Sequence, residues 1–440
     1  MQSVRHRHRQ LLLRQLDKIS ASFDSSPFSR NPDTPTELVR QLWQPFHHET
    51  IVHIGCHTYV KLLLATVPIG IAAGIRGWPV QVVFLLNLVA LVALIPLVAV
   101  LVADLSLATG RVLDGLLRAT MGNAVELIVG IVAMKRGHLH MVHSTLIGSM
   151  LCYTLLVPGS CFALAGYNKE HLHFDRTLIN VMSSLMVTVC MALLVPTIMA
   201  TFPSLDTVSP QAAVTRQEIV FVSRGVAITL LVLLGVFLLF KLKSHASIFH
   251  LAGASSENSL GSQSFPGRGV TLKRSTRMFA PRAALIAFLV GMSCLIMCIL
   301  CIVDSANGVA QELGISRAFP TLVLVPIIGN STRYAAIVAV SGKGHVESSV
   351  RAIINSMLHI TLFVSPGLVI LGWIWDLPMT LQLDTFEATM LFLATVVMNH
   401  VIQDGRSNYF DGLMLVGTYI ISVAAFYMRP GIDSTPRPIS

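Results

Sequence analysis

The segment Gly122-Asn123-Ala124-Val125-Glu126 runs directly into Leu127-Ile128-Val129, which puts a carboxylate inside a stretch apolar enough to cross a bilayer. An ionisable group at that depth is costly unless it is partnered or used. Asn123 lies three residues before Glu126, on the same face of a helix. Its amide oxygen and the carboxylate together suit a hard cation, and Gly122 lets the backbone approach or unwind so that carbonyls add ligands. The alternative is a glutamate hydrogen-bonded to a neighbouring helix for packing alone.

The segment returns as Gly329-Asn330-Ser331-Thr332, 207 residues downstream. The same offset carries Gly137-His138 onto Gly344-His345. It also carries Ile147, Ser149, Met150, Leu151, Thr154 and Leu155 onto Ile354, Ser356, Met357, Leu358, Thr361 and Leu362. One register over so many positions marks an internal repeat. Glu126 falls on Arg333, so the glutamate's counterpart is a guanidinium, and a buried ion pair is the expectation. Asn330 remains as a neutral ligand. Pro326, just before Gly329, supports a broken helix there. Ser149 and Ser356 occupy equivalent points of the next spans, as hydroxyl ligands or as small helix-contact residues. Asn355 and His359 share a face further on, and His359 is a candidate proton relay or a satisfied contact histidine.

These residues need elements to hold them, and composition says which kind. The 440-residue chain is 53% hydrophobic and 12% charged, about half the charged fraction of a soluble domain. Eleven apolar runs follow the first sixty residues, each suited to a membrane helix of about 17–25 residues. They are 62–75, 80–102, 112–134, 141–164, 178–199, 219–240, 283–303, 318–340, 350–373, 386–402 and 410–427. The expected fold is an all-α integral membrane protein of about eleven helices. Because the repeated motifs fall five spans apart, the copies enter the membrane in opposite directions, the inverted-repeat plan of secondary transporters.

The stretch from Lys241 to Arg282 carries seven basic residues against Glu257 alone. The positive-inside tendency makes it cytosolic. Six spans separate it from the basic N-terminal tail, so that tail is cytosolic too and the segment from Arg429 lies on the far side. The expected organisation is a tail over 1–60, a first helix plus repeat over 61–242, a basic loop over 243–281, a second repeat over 282–428 and a C-terminal tail over 429–440. Arg5, Arg7, Arg9 and Arg14 around three leucines do not read as a signal peptide. The net charge of +9 points to the lipid bilayer as partner, not to nucleic acid.

Other polar residues read as ordinary. Arg118 is a snorkelling side chain, Asp104 and Asp114 are solvated helix ends, and His400 and Asp404 are interfacial. Seven cysteines lie mostly in apolar runs and read as packing residues. Cys294, Cys298 and Cys301 share a helical face without a carboxylate or histidine to complete a metal site. No P-loop, His-Glu-x-x-His, Gly-x-Ser-x-Gly or Cys-x-x-Cys pattern occurs, so neither an enzyme nor an ATP-powered pump is expected, and no cofactor.

Gly122 to Val129, preceded by Gly115-Leu116-Leu117 and Ala119-Thr120 and closed by Lys135-Arg136-Gly137, resembles the first-repeat signature of the calcium/proton exchangers of the calcium/cation antiporter superfamily. Gly372-Trp373, Pro378 to Leu381 and Ile402 to Asn408 look like the second half of a fungal vacuolar exchanger. The likeness covers about 62–427. It implies an extra N-terminal helix before two five-helix inverted repeats, a vacuolar membrane, and lumenward Ca²⁺ transport driven by outward H⁺ flow. The chain departs from the family pattern at the second motif, where Ser331, Thr332, Arg333 and Tyr334 replace Ala-x-Glu-His. It also departs at Asn355, Ser356, Met357 and His359, at Arg118 and Tyr153, where asparagines are usual, and at Ala103-Asp104, where two glutamates are usual.

A facing pair of carboxylates binds Ca²⁺ and exchanges it for protons. One glutamate plus one arginine is already neutral without an ion, and Ca²⁺ would leave two positive charges in a low-dielectric cavity. Three readings follow: a vacuolar calcium/proton antiporter with Glu126 as ion and proton carboxylate and Asn123 and Asn330 as ligands; a transport-deficient paralogue with Arg333 in the cation site and a regulatory or partner-binding role; or an exchanger of altered ion specificity.

Overall fold

The computed structural model describes residues 59–106, 121–167, 172–174, 176–201, 216–240 and 281–428. The N-terminal tail to residue 58, Arg118, Asp114, nearly all of the basic loop and the C-terminal tail lie outside the described residues.

The architecture is helical, as expected. The first half contains α1 (Tyr59–Ile75), α2 (Val80–Ser106), α3 (Ala124–Lys135), α4 (Leu139–Leu151), α5 (Val157–Gly166), α6 (Arg176–Thr201) and α7 (Arg216–Leu239). The second contains α8 (Pro281–Leu313), α9 (Val325–Gly329), α10 (Ser331–Gly342), α11 (Val346–His359), α12 (Ser365–Ile374), α13 (Thr385–Gln403) and α14 (Tyr409–Met428). Among the described residues, eight helices are long and apolar enough to cross a membrane, and nine with the bent pair 320–329 and 331–342. The eleven expected spans are not all countable, because the third is described only from Met121 onward and the first is a shorter apolar helix.

Boundaries moved where local signals were weak. The span expected over 283–303 runs on to Leu313 because nothing breaks it before Gly314, whose φ of 65° ends the helix. The span expected over 318–340 is two helices meeting at 57°. Those expected over 141–164 and 350–373 are each interrupted by a π turn, Cys152–Leu156 and Ile360–Val364, followed in each case by a proline, Pro158 and Pro366. A third π turn, Pro320–Leu324, precedes α9. Such bulges let a helix absorb a misfit in its hydrogen-bond ladder, often at functional sites.

The repeats are antiparallel. α3 ends where Lys135 Nζ lies 4.5 Å from the Trp375 ring and Arg136 pairs with Asp304 at 2.8 Å, so the C-terminal ends of α3, α8 and α12 share one end of the bundle. α10 ends at the opposite one, where Ser341 Oγ donates to the Cys161 carbonyl of α5 at 3.1 Å. At that end Leu172–His173 (β1) pairs antiparallel with Arg406–Ser407 (β2). α3 and α10 thus run in opposite directions, as an odd spacing of spans requires. Outward-facing Leu85, Val232 and Ile421 are 61%, 61% and 70% exposed, which suits a surface wetted by lipid.

Candidate ion site

Both repeat motifs break their helices at the asparagine. Asn123 (φ −124°, ψ 37°) precedes α3, and Asn330 (φ −109°, ψ 8°) separates α9 from α10. Pro326 has no N–H to return to the Leu322 carbonyl four residues back. That carbonyl comes up against Gly148 of α4, where a Cβ would stand 1.9 Å from it. The glycine therefore lets the second half's broken helix reach the first half's α4.

The six-residue core of the site is cross-linked by hydrogen bonds that obey the repeat symmetry. Glu126 Oε1 accepts the Ser149 hydroxyl at 2.9 Å and the Asn330 amide at 2.7 Å. Arg333, at the glutamate's equivalent position, donates to Ser356 Oγ at 2.9 Å and Asn123 Oδ1 at 3.1 Å. Each charged side chain thus holds the serine of its own repeat and the asparagine of the other. Arg333 also donates to the Gly122 carbonyl. Glu126 is 1% exposed and Asn123 and Asn330 are buried, whereas Arg333 is half-buried.

The expected Glu126–Arg333 ion pair is not formed among the described residues. The guanidinium turns to neutral oxygens of the first motif, and the carboxylate is satisfied by neutral donors. Two neutral amides and two hydroxyls thus separate the charges, and the site stays neutral overall without direct contact. A second correction concerns Asn330: its amide N–H, not its oxygen, faces Glu126, so acting as a ligand requires the amide to rotate. Glu126 Oε2 and Asn123 Nδ2 are buried without a bonding partner. A buried carboxylate oxygen left unbonded is expensive unless something binds there.

Arg333 is flanked by aromatic side chains. Its Cζ lies 5.9 Å from the Tyr153 ring centre, and Tyr153 meets Tyr334 edge to face at 5.1 Å. The phenol rings fill the space behind the guanidinium with bulk that the two usual polar residues would not supply. His359 is half-buried at the end of α11, one turn beyond Ser356. Asp104 is 7% exposed and so is a buried group, not the solvated helix end expected of it. His400 and Asp404 are exposed, in line with interfacial positions. No group of three or more His, Cys, Asp or Glu side chains that could hold a metal ion occurs among the described residues.

One buried acid escaped the sequence reading altogether. Glu387, in the first turn of α13, is 3% exposed and accepts the Ser144 hydroxyl at 3.2 Å. Acids are common in a first turn because they favour the helix dipole, which hides such a residue from pattern reading.

With this geometry in hand, the chain can be set beside known proteins. The profile of the family described as "Sodium/calcium exchanger protein" matches residues 78–243 and 283–428, the two repeats. A vacuolar calcium ion transporter of Schizosaccharomyces pombe is 34% identical over 374 residues, covering 85% of each chain. A Ca(2+)/H(+) antiporter of Aphanothece halophytica is 29% identical, over 84% of this chain and 96% of its own. Native YfkE has a fold similar to 84% of this chain, with all of its own length covered (TM-score 0.66, 24% identity). The H+/Ca2+ exchanger CAX does so over 85% and 89% (TM-score 0.59, 13% identity). Matched in both halves, and across most of its length by a relative more than 30% identical, the chain belongs to the sodium/calcium exchanger protein family.

Proposed function

We propose that this protein is a calcium/proton antiporter of the vacuolar membrane, with its N-terminus in the cytosol, moving Ca²⁺ into the lumen against H⁺. The observation that carries the reading is Glu126. It is a buried carboxylate at the meeting point of two antiparallel repeats, held on one oxygen by both halves and open on the other. Two carboxylate oxygens, the side-chain oxygens of Asn123, Asn330, Ser149 and Ser356, and the Gly122 carbonyl would offer Ca²⁺ a coordination within its usual six to eight. The relatives' names, vacuolar calcium ion transporter and Ca(2+)/H(+) antiporter, support the substrate pair.

A second reading has its own observation. Arg333 already holds three of those oxygens, on Gly122, Asn123 and Ser356. A tethered cation in the cation site fits a transport-deficient paralogue with a regulatory role. Uptake of ⁴⁵Ca²⁺ driven by a pH gradient into vesicles of the purified protein separates the two: uptake supports the antiporter, and its absence, with uptake gained in Arg333→Glu, supports the plugged paralogue.

A further inference from the structure

The ion site pairs one carboxylate with one guanidinium, so it is neutral when empty and needs no proton to become so. An exchanger built this way gains from a proton-binding carboxylate elsewhere. Glu387 is such a group, and α4 connects it to Glu126.

α4 carries a hydroxyl bonded to each carboxylate, Ser144 on Glu387 and Ser149 on Glu126, with Thr145 between them. Ser144 of α4 donates its hydroxyl proton to Glu387 Oε1, and Ser144 Oγ lies 3.3 Å from His140 Nδ1, one turn nearer the end of α4. With the serine proton committed to the carboxylate, His140 is the donor in that contact. In the other direction, Thr145 is 2% exposed and its hydroxyl has no bonding partner. It lies one turn from Ser149, whose hydroxyl bonds Glu126. Helix capping does not account for Glu387, because Asp384 already caps α13, accepting the Phe386 and Glu387 amides at 2.9 and 3.4 Å. A first-turn acid that only completes the helix dipole has no reason to be withdrawn from solvent.

We propose that Glu387 is a second proton-binding carboxylate of the exchanger, reached through His140 and Ser144, with the unbonded Thr145 hydroxyl and Ser149 of the same helix lying between it and Glu126. A lumenal proton taken up at His140 Nε2 makes the ring an imidazolium, which passes its Nδ1 proton to the Ser144 oxygen as the Ser144 proton moves onto the Glu387 carboxylate, leaving His140 neutral with its proton on Nε2. With the N-terminus cytosolic, this end of α4 is lumenal, the side from which protons enter. The ionisable groups on this end of the elements packed against Glu387 are His140 and His143 on α4 and Asp384 at the start of its own helix; Cys190 of α6, bonded to Thr395, and Cys152 and Tyr153 of the π turn after α4 lie two or more turns further along. His143 is engaged by the Thr380 carbonyl at 2.8 Å and Cys190 by Thr395 at 3.3 Å. Arg406 and Asp411 belong to the opposite end of α13.

The inference rests on the antiport reading, so the test separates the two. Full-length protein in liposomes is assayed for ⁴⁵Ca²⁺ uptake driven by a pH gradient and for ⁴⁵Ca²⁺/Ca²⁺ counterflow without one. Glu387→Gln should reduce gradient-driven uptake at least tenfold and counterflow far less, with partial rescue in Glu387→Asp and an intermediate loss in Thr145→Val. Equal loss of both activities in folded Glu387→Gln, or undiminished gradient-driven uptake, overturns the proposal. Should the wild type transport nothing, the antiport reading fails by itself. Glu387 is then read by pH-difference infrared spectroscopy of the purified protein, where a protonated-carboxyl band should appear in wild type and vanish in Glu387→Gln. Identical spectra for the two proteins overturn the proposal.

Discussion

On the proposed function, Arg333 competes with Ca²⁺ for the site's oxygens. For Ca²⁺ to use the Gly122, Asn123 and Ser356 oxygens, the guanidinium must release all three. Hydrogen bonds to charged groups contribute about 1.5–3 kcal/mol each, so full release costs about 5–9 kcal/mol. Part is recovered as the guanidinium rehydrates, and its contact with the Tyr153 ring contributes about 1 kcal/mol that need not be lost. A net penalty of about 3 kcal/mol corresponds to about 100-fold in Kd. Arg333→Ala should therefore bind Ca²⁺ about 100-fold more tightly than wild type, and Arg333→Glu at least as tightly, because it also restores a second carboxylate. Arg333→Lys keeps the charge but loses the planar fork that reaches three acceptors, so it should gain only about 10-fold. Equilibrium ⁴⁵Ca²⁺ binding to purified protein measures the series. Wild-type affinity equal to that of Arg333→Ala and Arg333→Glu would show that the guanidinium does not compete for the ion's oxygens.

Further expectations follow from the same contacts. Asn330→Ala removes the amide that holds Glu126 Oε1 at 2.7 Å, and should weaken apparent Ca²⁺ affinity by about 10- to 100-fold, from about 1.5–3 kcal/mol for a charged hydrogen bond, as read by uptake kinetics. Gly148→Ala drives a methyl group into the Leu322 carbonyl and should cost about 1–3 kcal/mol of stability, seen as a lower melting temperature in detergent; an unchanged melting point would deny the close approach. Single cysteines at Ser256 and Ser434 should label from opposite sides of the membrane, whereas labelling of both from the cytosol would contradict the assigned topology.

One register of 207 residues carried through both motifs, and it made legible in the sequence which side chains would come together. α3 and α10 begin and end at residues related by that offset, and so do the glycines of positive φ, Gly137 and Gly344. Glu126, Asn123, Asn330, Ser149, Ser356 and Arg333 duly meet. Their wiring was not legible: opposite charges at equivalent positions suggest an ion pair, but which neutral donor each one takes depends on helix rotations that no pattern encodes. The π turns escaped for a related reason, since one extra residue per turn leaves an apolar run looking continuous. Asp104 and Glu387 look like ordinary helix-end acids in sequence, and only packing by neighbouring helices makes them buried.

The most direct test of the account asks whether proton-driven cation transport passes through Glu126. Purified wild type and Glu126→Gln are reconstituted in parallel, with folding checked by size-exclusion chromatography, and initial ⁴⁵Ca²⁺ uptake is measured under an imposed pH gradient at Ca²⁺ concentrations high enough to offset the weak affinity set by Arg333. The account predicts uptake by wild type that collapses when the gradient is dissipated and is absent from Glu126→Gln, which keeps the shape of the carboxylate but loses its charge and its exchangeable proton. Gradient-driven uptake in Glu126→Gln equal to that of wild type would contradict it.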